Sequence, residues 1–251
     1  MDLAERTGSA QRHPWETTRA AFVRALVDRY LGGRTPRRVL DVGAGDGWFA
    51  HELQRELDAG TEVVCWDVNY SGADLAADLP ASVVRTVAPP AGPFDVALLL
   101  DVIEHVDDDR AFLDEAVLPL LGPDALLVVT VPAYQGLFTS HDDALGHHRR
   151  YSATRLRTLL APRVEIVARG GLFASLLPAR AAALARERVA GPPPRHGIGD
   201  WSAGPGVTRA VSAVLAADAR VGGWLSRRGL PTPGLSLWAV CRPRPQPGAA
   251  P

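Results

Sequence analysis

Residues 39–47 read Val39-Leu40-Asp41-Val42-Gly43-Ala44-Gly45-Asp46-Gly47, a short apolar run followed by three glycines spaced by two. The apolar run predicts a buried strand over residues 38–42, and the glycines predict a tight loop before a helix that starts at Gly47. Because glycine has no side chain, such a loop lets backbone N–H groups and the N-terminus of the next helix approach a bound ligand closely.

The acid that precedes the glycines narrows the kind of ligand that this loop suits. The pattern D-x-G-x-G-x-G differs from the phosphate-binding G-x-G-x-x-G pattern because Asp41 stands at the end of the strand. A carboxylate there repels a pyrophosphate and attracts an ammonium group. The loop therefore indicates S-adenosylmethionine rather than a dinucleotide, and a glycine-rich turn without a ligand is the alternative for the loop taken alone.

Length and composition indicate a globular protein and exclude several other classes. The chain has 251 residues, of which 47% are apolar and 22% charged, as in one large domain or one domain with an appendage. The net charge of −1 gives no electrostatic case for binding nucleic acid. No uncharged apolar run reaches the roughly 20 residues of a membrane span. A polar start without a signal-peptide core, and Cys65 and Cys241 in apolar runs, favour a cytoplasmic location.

Strands and helices alternate along the chain. Short apolar runs predict strands over residues 38–42, 62–67, 82–87, 94–100, 125–131, 164–168 and 235–241. Helices are predicted over residues 15–31, 47–57, 108–121 and 152–160, the third of them ended by Gly122-Pro123. This βαβ rhythm predicts an α/β fold with a doubly wound, mostly parallel, seven-stranded sheet.

Two arginine-studded apolar stretches precede the last predicted strand. They cover residues 172–189 and 207–228, and a Pro/Gly-rich link at residues 191–206 separates them. We interpret them as a helical insertion that covers the sheet with an amphipathic face. The alternatives are a wall for an apolar substrate and a peripheral contact with a membrane surface.

The chain resembles the class I S-adenosylmethionine-dependent methyltransferases over nearly its whole length. The parts that carry the resemblance are residues 39–47, Asp67 at the end of the second strand, the run from Phe94-Asp95-Val96 through Leu100-Asp101-Val102-Ile103-Glu104-His105-Val106, and residues 125–132. Where the family has a Gly-Gly turn before the last of these, this chain has Gly122-Pro123-Asp124. The resemblance implies a Rossmann-like methyltransferase fold.

A subgroup of bacterial small-molecule methyltransferases resembles the chain further. The shared features are His13, Trp15 and Arg19 near the start, the block His141-Asp142…His147-His148-Arg149-Arg150-Tyr151, and the ending Leu230-Pro231…Gly234-Leu235-Ser236-Leu237. These features are specific for the fold and the cofactor, and they carry little information on the substrate.

The resemblance implies S-adenosyl-L-methionine as the cofactor and assigns residues to it. Asp41 orients the methionine ammonium group, and Asp67 accepts hydrogen bonds from the ribose hydroxyls. Val68 flanks the adenine, although the family's acidic adenine segment is replaced by Arg85-Thr86-Val87. Asp101 lies where the methionine end meets the acceptor. The expected cofactor residues are Asp41, Gly43, Gly45, Gly47, Asp67, Val68 and Asp101.

The block from residue 141 to residue 151 is expected at the C-terminal rim of the sheet, where open α/β sheets bind ligands. It predicts His141 or His147 beside the acceptor, oriented by Asp142 in a histidine–carboxylate pair. An ordered loop held by Asp142 with Arg149 or Arg150 is the alternative. No metal is expected, because the spacing matches no ordinary structural zinc pattern and thiolate ligands are missing.

His105, one turn after Asp101, is a third candidate for a general base, and a helix cap is its alternative role. The predicted catalytic set is therefore His141, His147, His105, Asp142 and Tyr151. The domain division expected from these assignments is a helical lid over residues 1–36, a cofactor-binding core over 37–171, a substrate-side helical insertion over 172–233, a last core strand over 234–242 and a disordered tail over 243–251.

The expected reaction is an in-line displacement at the sulfonium methyl group, with the acceptor held about 3 Å from the methyl carbon. The histidines, and a chain without lysine, favour a neutral small-molecule acceptor that is activated by deprotonation. O-methylation in natural-product biosynthesis is the first prediction. The alternatives are carbon alkylation through a carbanion, including ring closure such as cyclopropanation, and methylation of a lipid-linked or cell-envelope substrate. A cofactor-binding regulator is disfavoured because Asp41 and Asp67 are both present.

Overall fold

The computed structural model describes residues 12–77, 79–192, 201–230 and 232–244. Residues 1–11 of the predicted lid and residues 245–251 of the predicted tail lie outside this range. The strands are β1 (Arg38–Val42), β2 (Glu62–Trp66), β3 (Val83–Thr86), β4 (Phe94–Leu100), β5 (Leu121–Pro132), β6 (Val164–Leu172) and β7 (Ser236–Pro243). The α-helices are α1 (Pro14–Leu31), α2 (Trp48–Gln54), α3 (Gly72–Leu75), α4 (Asp109–Ala111), α5 (Ser140–Ala144), α6 (Ala153–Leu160), α7 (Leu177–Ala190) and α8 (Pro205–Ser226).

The strands form one seven-stranded sheet in the order β3-β2-β1-β4-β5-β7-β6. The first five of these strands are parallel, and β7 runs antiparallel between β5 and β6. This confirms the predicted doubly wound, mostly parallel sheet, with α7 and α8 inserted before the last strand. Because β1 pairs with β2 on one side and β4 on the other, the strand order reverses there, and a crevice opens at the carboxyl ends of β1 and β4.

Both faces of the sheet are buried, which explains why the central strands are almost continuously apolar. Successive residues of a strand point to opposite faces, so Val39 packs into one hydrophobic cluster and Leu40 into the other. Helix α1 joins the first cluster through Val23 and Val27, and α6 joins the second through Leu156 and other leucines. The two clusters hold the strand ends, and therefore the site, in place.

The region between β4 and β5 differs from the prediction of one helix over residues 108–121. Asp108 caps α4, and the chain then continues as a π-helix over Phe112–Val117 and a 3-10 helix over Leu118–Leu120. The expectation that Gly122-Pro123 ends the helix is wrong, because Leu121 already pairs with Phe94 and belongs to β5. The register shifts before Val96, and this irregularity accommodates the extra residues in β5.

The insertion also begins later than the sequence predicts. Strand β6 continues through Leu172, because residues up to Leu172 pair with β7, and α7 starts only at Leu177. Helix α8 packs against α1 and β6. Among the described residues, no helix combines the length and the apolar character that a membrane span requires.

Candidate functional site

A cavity of about 600 Å³ lies at the carboxyl ends of β1, β2 and β4. This volume falls in the range of small-molecule and cofactor sites. The sheet contributes lining residues that follow each of these strands, α1 contributes Trp15 and Arg19, and the segment after β6 contributes Phe173 and Leu176. The predicted site residues that line it are Gly43, Asp67, Val68, Asp101, His105, His141 and His147.

The glycine loop closes tightly on the neighbouring strand ends. Gly43 has a positive φ of 62°, and a Cβ at this position would lie 2.8 Å from the Val102 Cγ2 atom. The Gly43 N–H donates to the Trp66 carbonyl at 2.7 Å. Gly43 borders the cavity, whereas Gly45 and Gly47 shape the loop behind it. A side chain at Gly43 would therefore displace the loop that follows β4.

Asp67 and Asp41 occupy different places in this loop. Asp67 lines the cavity, and its carboxylate accepts the N–H groups of Gly45 at 2.8 Å and Asn69 at 2.9 Å. Asp41 is only 3% exposed, behind Val42 and Gly43, and burial raises its pKa to about 7. Val68 is exposed at the cavity. Asp67 is therefore a fixed acceptor at the surface of the site, and Asp41 is a buried acid beneath it.

Asp101 joins the end of β4 to helix α1. Its backbone adopts a positive φ of 58°, and the Thr130 hydroxyl donates to its carboxylate at 2.9 Å. The other carboxylate oxygen accepts a hydrogen bond from Arg19, whose guanidinium also lies 4.6 Å from the centre of the Trp15 ring. The resemblance includes Arg19 but assigns it no role. The structure places Arg19 opposite Asp101.

The block after β5 is organised around Asp142, whose side chain is fully buried. The Nδ1 atom of His147 lies 3.0 Å from Asp142 Oδ1, and Arg150 donates to the same oxygen at 2.7 Å. Arg180, from the insertion, and the Thr139 N–H donate to Asp142 Oδ2. Burial alone raises the pKa of Asp142, but the hydrogen bond from His147 and the charge of Arg150 hold that pKa well below its ordinary value. The structure thus pairs Asp142 with His147 and with Arg150.

His141 and Tyr151 have other surroundings. His141 lines the cavity, and burial, followed by the charge of Arg180, lowers its pKa. Tyr151 is fully buried, with its hydroxyl 2.8 Å from an Asp109 carboxylate oxygen and 3.2 Å from the Ile103 carbonyl. The hydroxyl of Tyr151 lies in this buried contact, and Tyr151 is not one of the residues that line the cavity. Tyr151 instead holds the turn that follows β4.

Glu104 is a lining residue that the sequence analysis quoted but did not assign. It is fully buried, and neither carboxylate oxygen has a hydrogen-bond partner among the described residues. Burial, followed by the nearby charge of Asp101, raises the pKa of Glu104 well above its ordinary value. The His105 and His147 rings meet edge to face beside it, with ring centres 4.6 Å apart. In the sequence, the one sign that Glu104 belongs to the site is that it directly precedes His105.

Comparison with known proteins identifies the family. Residues 15–163 match the family model described as "Methyltransferase domain". The chain is 34% identical over 135 residues to a protein of Caulobacter sp. (strain K31) named "Ubiquinone biosynthesis O-methyltransferase", a match that covers 48% of this chain and 53% of that protein. The chain thus spans about half the length of the curated relatives that it matches.

Solved structures share the fold at low sequence identity. The N-methyltransferase NodS from Bradyrhizobium japonicum WM9, in complex with S-adenosyl-L-homocysteine, gives a TM-score of 0.51 at 14% identity, covering 93% of this chain and 89% of that one. The [4+2]-cyclase SpnF gives a TM-score of 0.56 at 17% identity, covering 95% and 84%. Because one fold accommodates such different reactions, the acceptor has to be argued from the site.

Proposed function

The chain belongs to the S-adenosylmethionine-dependent methyltransferases, and from that membership we propose that it methylates a hydroxyl group of a small molecule, such as an intermediate of natural-product biosynthesis. The observation that carries this proposal is the Asp142–His147 pair beside the cavity. The relatives named as O-methyltransferases support the same acceptor atom.

The residues at the strand ends fit the cofactor. Asp67 presents its carboxylate to the cavity for the ribose hydroxyls, and Gly43 also borders the cavity, where a backbone without a side chain can approach the cofactor closely. Buried Asp41 provides a negative charge beneath the methionine end, and Arg19 provides a positive charge for a carboxylate. When bound, S-adenosylmethionine supplies an electrophilic methyl group on a sulfonium centre.

His147 is the residue best placed to take the proton of the acceptor. Ionised Asp142 accepts a hydrogen bond from Nδ1 of His147, and this fixes the tautomer in which Nε2 carries the lone pair. His147 is only 9% exposed in its side chain, so the ring is held in one orientation. When Nε2 accepts the proton of the acceptor hydroxyl, the acceptor oxygen becomes a better nucleophile. The cavity walls exclude competing water.

The His147→Ala variant tests this assignment, with His148→Ala as the matched control because His148 is exposed and adjacent. With a panel of phenols, catechols and sugars as acceptors, we expect His147→Ala to lower kcat by about 10²- to 10⁴-fold. Cofactor binding should be unchanged. The pH–rate profile of the wild type should have an ascending limb that is lost in His147→Ala.

Variants of the two other histidines at the cavity, His141 and His105, provide the result that would reject a histidine general base. His141→Ala and His105→Ala are measured in the same way, since both side chains line the cavity. If these two variants and His147→Ala all retain wild-type kcat, the enzyme works by positioning its substrates alone.

A second candidate, methylation of a lipid-linked acceptor at a membrane surface, is favoured by one face of α8. Val207, Val214 and Val221 recur every seven residues and are 56%, 56% and 57% exposed, and Trp224 beside them is 46% exposed. Such a stripe suits insertion at a lipid interface. Sedimentation with anionic liposomes tests it, and a Val214→Asp variant that sediments as well as the wild type excludes α8 as the contact.

A further inference from the structure

Three potential metal ligands meet at the acceptor end of the cavity. A carboxylate oxygen of Glu104 and a ring nitrogen each of His105 and His147 all lie within 4.8 Å of one another. We propose that these three residues bind a divalent transition-metal cation, such as Zn²⁺ or Mn²⁺, which holds the acceptor oxygen. The site itself is independent of the proposed function, and its role in catalysis rests on that proposal. This geometry departs from the sequence expectation of no metal.

Glu104 is the strongest reason for a cation. Its carboxylate is fully buried and has no hydrogen-bond partner among the residues that the structure describes. A buried carboxylate without a partner is costly, because it loses its hydration and gains nothing in return. The backbone nevertheless holds Glu104 in place, since its carbonyl accepts the His148 N–H at 2.8 Å. A cation at this position would provide the missing interaction.

His147 has the second hydrogen bond that a metal-binding histidine requires. Histidines that bind a metal through one ring nitrogen usually donate the other N–H to a carboxylate, which orients the ring. Here Nδ1 of His147 lies 3.0 Å from Asp142, and Arg150 and Arg180 hold that carboxylate. The arrangement leaves Nε2 of His147 available as a ligand.

The ligand types indicate which cations suit the site. Two imidazoles and one carboxylate suit divalent transition-metal ions such as Zn²⁺, Mn²⁺ or Fe²⁺ better than Ca²⁺, which takes oxygen ligands. Three protein ligands leave a coordination position open for a substrate, as in catalytic zinc sites. Ligands at about 2.1 Å from a tetrahedral ion lie about 3.4 Å apart. Because the three ligand atoms lie within 4.8 Å of one another, a contraction of up to about 1.4 Å, through rotation of the half-buried His105 side chain, would close the site on an ion.

The cation would change how the acceptor is activated. A hydroxyl oxygen bound to the ion loses its proton to solvent more readily, because the positive charge lowers the hydroxyl pKa. The oxygen then forms its bond to the methyl carbon as the carbon–sulfur bond breaks, and neutral S-adenosylhomocysteine leaves. With the ion bound, Nε2 of His147 is a metal ligand and cannot accept the proton. The acceptor hydroxyl is then activated by the ion and not by a histidine base.

Direct binding measurements test the site without relying on activity. The full-length protein is freed of metal with EDTA, and Mn²⁺ binding is followed by electron paramagnetic resonance and Zn²⁺ binding by calorimetry. We expect one ion per chain and tighter binding as the pH rises, because the ligands must be deprotonated. Glu104→Gln and His105→Ala should each weaken the affinity by at least ~10-fold, as the loss of a ligand requires.

Two controls separate loss of a ligand from loss of the fold. Glu115→Gln and His148→Ala change exposed residues of the same types and should bind the ion as the wild type does. Glu104→Gln keeps the shape of the side chain and replaces a buried acid that has no hydrogen-bond partner among the described residues, so we expect it to fold, and circular dichroism checks this. His105→Ala provides a second, independent variant.

The outcomes distinguish this inference from the proposed function. If neither Mn²⁺ nor Zn²⁺ binds the wild type more tightly than Glu104→Gln, the metal site is rejected. If hydroxyl methylation then proceeds unchanged in EDTA, the histidine base remains. If one ion binds and both ligand variants lose it while no hydroxylated acceptor is methylated, the metal site stands and the proposed function fails.

Discussion

Three buried acids in this protein have different ionisation behaviour, although burial raises the pKa of each. Asp142 receives hydrogen bonds from His147 and two arginines, and these outweigh burial and lower its pKa. Asp41 and Glu104 receive no comparable compensation, and burial raises the pKa of both. Burial therefore disfavours the ionised forms of Asp41 and Glu104, whereas the partners of Asp142 keep it ionised.

Asp41 predicts that cofactor affinity depends on pH. With a pKa of about 7, Asp41 is largely neutral at pH 6, and binding an ammonium group requires that it lose its proton. The affinity for S-adenosylmethionine should therefore rise as the pH rises from about 5.5 and level off near the pKa of Asp41. Calorimetry over this range measures it, and Asp41→Asn should remove the dependence. A wild-type affinity that is constant with pH contradicts this prediction.

The contacts of Asp67 predict that its replacement weakens cofactor binding. Asp67→Ala should weaken binding of S-adenosylmethionine and S-adenosylhomocysteine by roughly 1.5–3 kcal/mol, about 10- to 150-fold, through loss of charge-assisted hydrogen bonds. Because Asp67 also accepts the Gly45 N–H, Asp67→Asn is the control that keeps an acceptor for the loop. Wild-type affinity in Asp67→Ala, measured by calorimetry, would remove Asp67 from the site.

At the scale of elements, the insertion supports the block after β5 as well as covering the sheet. Arg180 of α7 donates to Asp142, to the Thr139 hydroxyl at 2.8 Å and to the Leu137 carbonyl at 3.2 Å. Glu187 of the same helix accepts the Ser140 N–H at 2.9 Å. Helix α7 therefore fixes α5 and, through Asp142, the orientation of His147.

This connection predicts that Arg180 of α7 affects catalysis through the orientation of His147. Arg180→Ala leaves buried Asp142 with fewer donors and should lower the free energy of unfolding by about 1–3 kcal/mol. Hydrogen exchange should become faster in residues 140–150 and 177–190, and kcat should fall while cofactor affinity stays the same. Arg186→Ala, an exposed residue of the same helix, is the control. Equal exchange in the two variants would show that α7 does not fix the block.

At the scale of the whole molecule, α1 packs against elements from the C-terminal half of the chain. Helix α1 packs against α8, and the Phe22 ring contacts Trp238 of β7 edge to face at 5.4 Å between ring centres. The His13 ring contacts Trp201, which precedes α8, at 4.6 Å. Arg12 pairs with Asp46 in the loop after β1. The start of α1 is thus held over the strand ends by side chains from distant parts of the chain.

The position of α1 predicts that it closes the cofactor site. Deletion of residues 1–15 removes Trp15 from the cavity wall and the Arg12–Asp46 pair, so the KM for S-adenosylmethionine should rise. The core should keep its fold, because the apolar residues of α1 that pack in it, such as Val23 and Val27, remain. Trp15→Ala should change KM in the same direction. An unchanged KM in both variants would show that this segment does not act as a lid.

The amino-acid pattern alone was enough to predict the class of sheet, the glycine loop and the approximate places of the expected site residues. These depend on signals that are local along the chain: the apolar period of strands, the spacing of Gly43, Gly45 and Gly47, and the acid at the end of β2. Since carboxyl ends of parallel strands meet at one edge, residues that follow β1, β2 and β4 had to share a site once the sheet was known.

The contacts of each ionisable group could be read only from the folded chain. It paired Asp142 with His147, brought Arg180 to them from the insertion and placed Tyr151 against Asp109. It also buried Glu104 where none of the described residues forms a hydrogen bond with its carboxylate. It also placed Gly122 inside β5, through the pairing of Leu121 with Phe94. Burial and hydrogen bonding arise between residues far apart in the sequence, so a local pattern carries no record of which pairs will form.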